Sequence, residues 1–533
     1  MNLQTLPIMG RWCGWTSIIF KCCLLILLTT VASTWNSAAA QNQKLPSAEK
    51  IVDHYLKAIG GKKNVSAIRS SIYRWQADGA DQSTSTWQLK APGSIRIESF
   101  TDGKQKTLAA NASSAWSEEA GTVRTLTGAE ASAAKLRAWL DASRLVDYKK
   151  ANILARVVSM GDLGSEPAYV VEFSRRGGGR LTYWFSVKSR LLIKLIDDST
   201  RTTTRFSDYR TEGNILEPHA VRISREGADL NLKLVSVVHN GTLADNIFDP
   251  PKADVDLDVT ALLRSVGRNQ DEVEKRVSEY SFLQKETERE INDRGELKKE
   301  KTKVYEVFPL PHREPIMKLI SEDGVPLAGD RAAKEEKRVT EEFMKAERDH
   351  DKDQQKADKR EEEKRRRRAK NGEENDDPDI SQFLKVCEFV SPRHERFRDR
   401  DAVVFDFRPR AGYKPQNRAE SLIAKLVGVV WIDPADKQVM RLEARLAEGF
   451  KMGGGLLVSV KPGAAVVMEQ TRMVEGVWLP SYAQVNLSVK VLLFGGGDMN
   501  QTVEWSDYRH FSGQVNDYKL EAPRIPNQPD KKP

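Results

Sequence analysis

Cysteine is scarce in this chain, and its placement excludes disulfide stapling. Cys13, Cys22 and Cys23 fall within the first 40 residues, and only Cys387 lies beyond them. The remainder can close no internal disulfide and must be held together by packing. The seven histidines, His54, His219, His239, His312, His350, His394 and His510, include no His-x-x-x-His pair, and no cysteine pair completes a zinc set. Gly-x-Ser-x-Gly, Gly-x-Gly-x-x-Gly and Gly-Lys-Ser/Thr are absent, which removes the usual marks of an esterase elbow, a dinucleotide fold and a phosphate loop. No cofactor and no metal are expected. An excess of one charge is also lacking: 84 Lys and Arg stand against 76 Asp and Glu, a net +8 with the signs interspersed. That pattern does not form a nucleic-acid footprint.

Arg11 and Lys21 precede an apolar run from Cys22 to about Ala32, and Ser37-Ala38-Ala39-Ala40 then leads to Gln41. A basic flank, a short apolar core and a small-residue exit have the form of a secretory signal, with cleavage expected after Ala40. The run is shorter than the ~20 residues that a membrane-spanning helix needs. Cys22 and Cys23 open the run rather than follow it, so a lipidated N-terminus is not expected. The reading is an exported protein, with an uncleaved anchor as the alternative.

Length allows two or three domains in 533 residues, and a repeated module suggests where they fall. Ala168–Phe173 leads through a Gly-rich turn to Tyr183-Trp184-Phe185, then Leu191–Leu195, and closes on Glu212-Gly213-Asn214-Ile215-Leu216-Glu217-Pro218. Ala402–Phe407 leads to Val430-Trp431-Ile432-Asp433, then Val439–Leu442, and closes on Glu475-Gly476-Val477-Trp478-Leu479-Pro480. The landmarks recur in order, which suggests duplication. Glu172 and Asp406 occupy matching positions.

Ser47 can cap a helix whose Ile51, Val52, Tyr55, Leu56 and Ile59 share one face, ended by Gly60-Gly61. Ser47-x-x-Lys50 also matches an acyl-enzyme pattern, but without partner motifs it reads as a cap. Short strands follow, with Trp87/Leu89 and Ile95/Ile97 alternating with polar neighbours, the pattern of a sheet with one apolar face. Thr127-Gly128-Ala129-Glu130 reads as a capping box opening a helix to about Leu140. A second meander contains Leu230, Leu232 and Leu234 on one face. After Pro251 the order repeats, with a leading helix at 259–277, strands, and a segment from Arg331 to Lys370 in which 28 of 40 residues are charged. If helical throughout, that segment spans roughly 60 Å. Its Glu-Glu-Glu-Lys-Arg-Arg-Arg-Arg block reads as a solvated helix laced with i,i+4 pairs, or as a contact for anionic lipid head groups.

The expected class is α+β: two tandem curved antiparallel half-barrel sheets, each covered by helices, with a long charged helical insertion in the second. The expected division is a signal peptide at 1–40, one domain at 41–252, a second at 253–516 with the insertion at 330–371, and a disordered tail at 517–533.

Each half resembles the bacterial lipoprotein-carrier family, which includes the periplasmic outer-membrane lipoprotein-sorting protein. The residues carrying the likeness are Ile51–Gly61 with Ile68-Arg69-Ser70, the Ala168–Phe173 and Ala402–Phe407 strands, Trp184, Trp431 and the two closing prolines. The resemblance implies a half-closed β-barrel with helices as a lid, a periplasmic location, and acyl chains held in an apolar cavity without catalysis. The implied partners are lipidated proteins or lipids. Two departures stand out: the carriers usually have one such domain, and the charged insertion has no counterpart in the first half. The cavity candidates are Trp87, Leu89, Ile95, Ile97, Leu232 and Leu234 in the first half and Phe405, Phe407, Leu487, Val489 and Val491 in the second, with ordinary core packing as the competing role. An envelope sensor or scaffold, and a hydrolase using a carboxylate pair, are the alternatives.

Overall fold

A computed structural model describes residues 45–510, apart from 79–81, 102, 253–257, 278, 311–313, 372–379, 453–457, 474–475 and 492–494. The signal-like segment and the tail therefore lie outside the described residues. So do the side chains of Val489 and Val491.

The first sheet has thirteen strands: β1 (Ser70–Ala77), β2 (Thr84–Lys90), β3 (Ser94–Thr101), β4 (Lys104–Ala110), β5 (Ala115–Glu119), β6 (Thr122–Thr125), β7 (Leu154–Leu163), β8 (Glu166–Ser174), β9 (Arg180–Ser186), β10 (Leu192–Asp197), β11 (Thr202–Glu212), β12 (Ile215–Arg225) and β13 (Ala228–His239). Strands β1 to β6 step outward by tight turns. A helix intervenes, and β7 to β13 step back until β13 lies antiparallel to β1, with Ser71 opposite His239.

The second sheet is wound alike. Its strands are β14 (Tyr280–Ile291), β15 (Leu297–Phe308), β16 (Ile316–Glu322), β17 (Val325–Pro326), β18 (Cys387–Phe397), β19 (Arg400–Pro409), β20 (Leu426–Asp433), β21 (Gln438–Leu446), β22 (Phe450–Met452), β23 (Val458–Val460), β24 (Ala465–Arg472), β25 (Trp478–Val491) and β26 (Gly495–His510). Strands β14 to β17 step outward, and the last strand, β26, returns beside β14. Among the described residues, no strand of one sheet pairs with a strand of the other. The molecule is thus mostly two large, open antiparallel sheets with few helices.

Six helices matter below: α1 (Ala48–Ala58), α2 (Gly128–Ser143), α3 (Val259–Val277), α4 (Gly329–Asn371), α5 (Ile380–Val386) and α6 (Arg418–Ile423). Ser47 caps α1 as expected, its Oγ accepting from Lys50 N at 3.3 Å. Gly60 then turns the chain at φ 124°, and a Cβ there would collide with Asn214 O. That close approach lets Leu216 N donate to Ile59 O at 3.0 Å, tying the helix end to the turn that opens β12. The expected capping box at Thr127 is not formed. Thr127 makes no side-chain cap bond, and Glu130 instead pairs with Arg124 at 3.0 Å. An ion pair within reach of the preceding strand has displaced the local cap.

By compactness the chain forms two units. The first comprises residues up to Glu272, Glu286–Lys301 and Glu374–Glu504, and so holds the whole first sheet and much of the second. The second comprises Val273–Lys285, Thr302–Glu373 and the chain from Trp505. Its core is built where α4 lays Val339 and Phe343 on Phe308 and Ile316, with the two phenyl rings 5.4 Å apart. Arg338 of α4 bonds Glu335, Glu342 and the Met317 carbonyl, and Glu335 accepts from Leu319 N at 2.8 Å. The start of the charged helix is therefore docked by an apolar stripe at i, i+4 spacing.

Candidate functional site

The register of β1 to β4 places the first-half candidates on one face. Tyr73 lies opposite Trp87, Trp87 opposite Ile97, and Ile97 opposite Leu108. Leu89 lies opposite Ile95 in the next row, and Leu234 and Leu232 stand against Trp75 and Ala77 across the β1–β13 seam. These residues form one apolar cluster, with the Trp75 and Trp87 rings 5.1 Å apart. Leu232, Ile95, Leu89 and Trp87 are buried, while Ile97 and Leu234 are half-buried at its margin.

What covers this face is α2. It presents Ala131, Ala138 and Ala142 to the tryptophan side, and Ala133, Leu136 and Leu140 to a second cluster. That second cluster joins Ile51, Val52 and Leu56 of α1 to Phe173, Leu181, Tyr183 and Phe185. The small alanines allow the helix to lie close over large rings. Each alanine also buries little apolar area, so the tryptophan side of the helix is weakly held by hydrocarbon contact alone.

A polar clasp fixes the end of that helix. Arg144, in the left-handed conformation (φ 50°), caps α2 and turns its guanidinium onto the sheet. It donates to Ser71 Oγ at 2.8 Å, Tyr73 Oη at 2.9 Å and Glu217 Oε1 at 3.2 Å, while Tyr73 Oη donates to Glu217 Oε1 at 2.8 Å. Both members of the Arg144–Glu217 pair are under a tenth exposed. Burial works against the Arg144 charge, but Tyr73 and Glu217 outweigh it and hold its pKa above the ordinary value. Burial likewise pushes the Tyr73 phenol well up. His239 joins the group, with Nδ1 2.9 Å from Ser71 Oγ and Nε2 3.5 Å from Glu217. Burial lowers the His239 pKa, with Glu217 partly offsetting it.

Ser71, His239 and Glu217 have the residue types of a hydrolase triad. Ser71 is fully buried, however, and its oxygen is already engaged by Arg144, so it serves as a relay within the clasp. No local sequence pattern marks these five residues, since they come from β1, β12, β13 and the end of α2.

In the second half, Phe405 lies opposite Val430 and Val430 opposite Leu442, while Phe407 lies opposite Gly428, where a Cβ would overlap the Phe407 ring. Through Ala444 and Val466 that second row reaches Val485, whose strand carries Leu487 on the same face, half-buried. Phe405 packs under Leu262, Leu263 and Val266 of α3. Phe407 packs under Phe383 and Val386 of α5 and Ile423 of α6.

The matching carboxylates Glu172 and Asp406 are both buried and both answered by arginine. Glu172 pairs with Arg156 at 2.9 Å and Arg180 at 3.3 Å. Asp406 pairs with Arg393 at 3.2 Å and accepts from Ser114 Oγ, in the turn before β5. Arg393 also donates to Thr125, and Glu395 accepts from Thr125 N at 2.9 Å. Burial raises the Asp406 pKa against the pull of Arg393. Glu172 is satisfied within the first sheet, and Asp406 by Arg393 and Ser114, so neither carboxylate is unpaired. Among the described residues, no group of three or more His, Cys, Asp or Glu could hold a metal ion, and no described helix is long and apolar enough to cross a membrane.

Fold and clasp together define a class: an open antiparallel sheet with one apolar face, covered by an inserted helix pinned at its end. No protein-family model matches the chain, and no curated protein matches it. Among solved structures it is similar to a DUF1329 family protein from Desulfovibrio piger, at 15% identity over 38% of this chain and 96% of that one (TM-score 0.27). It is similar to a LolA superfamily protein from Nitrosomonas europaea at 14% identity over 39% and 99% of the two chains (TM-score 0.26). A third is the Mycobacterium tuberculosis lipoprotein LppX, at 8% identity over 37% and 99% (TM-score 0.15). With TM-scores below 0.5, the functional reading stands on this chain's own residues.

Proposed function

We propose that the protein is an exported, periplasmic carrier that holds the acyl chains of lipoproteins or lipids between the apolar face of the first sheet and helix α2. The observation that carries this is the cover itself. Trp75, Trp87, Leu89, Ile95 and Leu232 are roofed by alanines, and the end of the roof is clasped to the sheet by Arg144. Acyl chains that replaced the alanines would gain about 0.8 kcal/mol per buried CH₂, so a chain of ordinary length offsets the opening of one clasp. The common winding of the two sheets supports a tandem pair, the second carrying Phe405, Phe407 and Leu487 on the matching face; Val489 and Val491 belong to this proposal by sequence alone. Native mass spectrometry of protein purified from its own envelope should show co-purifying acyl species. A bare apo mass, unchanged when the clasp is opened by Arg144→Leu, would sink the carrier reading.

A second reading is a sensor or scaffold, favoured by the docked start of α4, which holds a long charged helix in place. Deleting 331–370 separates the two: a sensor loses its partner, whereas a carrier keeps its lipid.

A further inference from the structure

The clasp leaves unexplained a second group of cations beside α2. The turn after β8 carries two arginines with opposite fates. Arg176 is answered by the Ile291 carbonyl at 2.8 Å and by Asp293 and Asp498, each at 3.0 Å. The Arg175 side chain has no hydrogen-bond or ion-pair partner among the described residues, and its Nε is buried. Its Nη1 lies 3.8 Å from the Cβ position of Gly463. Gly463 N in turn donates to Leu446 O at 2.9 Å, so Arg175 reaches the end of β21. Arg445, one residue before Leu446, stands there too. It spends one N–H on the Ala112 carbonyl at 2.7 Å, has a buried, unpartnered Nε, and has no carboxylate partner among the described residues. Lys135, on α2, is mostly buried, with Glu443 at 3.8 Å and the Asp406 charge also acting on it. The glycines beside Arg175 matter here. Gly179, at φ 81°, leaves no room for a Cβ against Ser132 O, so the turn rests directly on α2.

The chain supplies little to neutralise the two arginines. No Asp or Glu occurs from 173 to 196 or from 449 to 468. Burial, and secondarily the charge of Arg445, push Arg175 down to about 9. Burial lowers Arg445 and Lys135 as well; at Lys135 the Glu443 and Asp406 charges oppose it and the Arg445 charge adds to it. Two half-buried guanidinium groups without carboxylates are costly unless something else satisfies them, and the planar donor fork of arginine fits an oxyanion in bidentate fashion.

We propose that Arg175 and Arg445, with Lys135 beside them, form a binding site for a phosphate-type oxyanion. Within the carrier reading, on which this part rests, the oxyanion is the phosphate of a lipid head group, held beside α2 while hydrocarbon lies beneath that helix. The shared chemistry would equally accept free phosphate, and the experiment separates the two sources.

The full chain and its Arg175→Gln and Arg445→Gln variants are compared by thermal unfolding and by calorimetric titration. The probes are inorganic phosphate, dihexanoyl phosphatidic acid and uncharged dihexanoylglycerol, with chloride matching ionic strength. Wild type should be stabilised by a phosphate-bearing probe, and each variant should lose about tenfold or more of that affinity, the scale of one charge-assisted bidentate contact. Without any anion, Arg175→Gln, which breaks no hydrogen bond, should melt no lower than wild type, because removing one of two neighbouring cations relieves repulsion. That readout holds even where binding is weak. Response to phosphatidic acid alone assigns the site to lipid, and equal response to inorganic phosphate assigns it to the free anion. If wild type ignores both, or responds as strongly without Arg175 and Arg445, the site does not exist. Dihexanoylglycerol binding that persists in such a case leaves the carrier reading intact, and its absence with phosphate binding retained overturns the carrier reading alone.

Discussion

In the first sheet the residue before the closing proline is Glu217, clasped by Arg144 and Tyr73. In the second sheet it is Leu479, fully buried. The same contrast runs through the covers. One helix with an alanine face lies over the tryptophans of the first sheet, whereas parts of three helices bury Phe405 and Phe407 with leucine, valine, isoleucine and phenylalanine. An apolar plug gains with every methylene buried and gives way only with the fold. A buried ion pair contributes less net stability, but it is specific in geometry and can be released as a unit. On the carrier proposal, the first sheet is the one expected to open and the second the one expected to stay shut.

The largest effect should fall on the side that stays shut. Phe405→Ala should cost about 3–5 kcal/mol in denaturant unfolding, with no recovery on adding acyl ligand. An added ligand that restored its midpoint would place the occupied cavity in the second sheet instead. Next is the clasp. Arg144→Leu leaves Glu217 buried without its cation and should cost about 3 kcal/mol or more. The double change Arg144→Leu with Glu217→Leu imitates the second sheet and should regain most of that loss while reducing acyl exchange. Equal destabilisation by the single and the double variant would show that the contrast between the sheets does not lie in this pair. Ser47→Ala, removing the cap of α1, should cost about 1 kcal/mol, toward the low end for an exposed bond of 3.3 Å. The mildest test is pH. Burial holds His239 below its ordinary value. The unfolded chain therefore takes up a proton as pH falls through about 6.5, while the folded chain refuses it until a lower pH. Stability should fall with pH across that window, and His239→Gln should flatten the slope. An unchanged slope would remove His239 from the clasp.

Much of the framework was legible from local pattern. Alternation at Trp87/Leu89 and Ile95/Ile97 announced one-faced strands, and the register places those residues side by side. Ser47 and the residues of α1 read correctly because a cap and a helical stripe are properties of a dozen neighbouring residues. The capping box at Thr127 read wrongly because Glu130 found Arg124, a partner outside the helix. Both carboxylates expected at matching positions, Glu172 and Asp406, have internal arginine partners, and pattern alone could not say which arginines.

The order of apolar and polar residues by itself determined that this chain makes two sets of antiparallel strands interrupted by helices, since side-chain alternation and turn chemistry act over short spans. Only the tertiary structure decided that Arg144 meets Glu217 across 73 residues of sequence, and that Arg175 and Arg445 come to the same end of β21 without an acid between them. Charges are satisfied or stranded by neighbours in space, and a linear pattern carries no record of which strands will lie beside them.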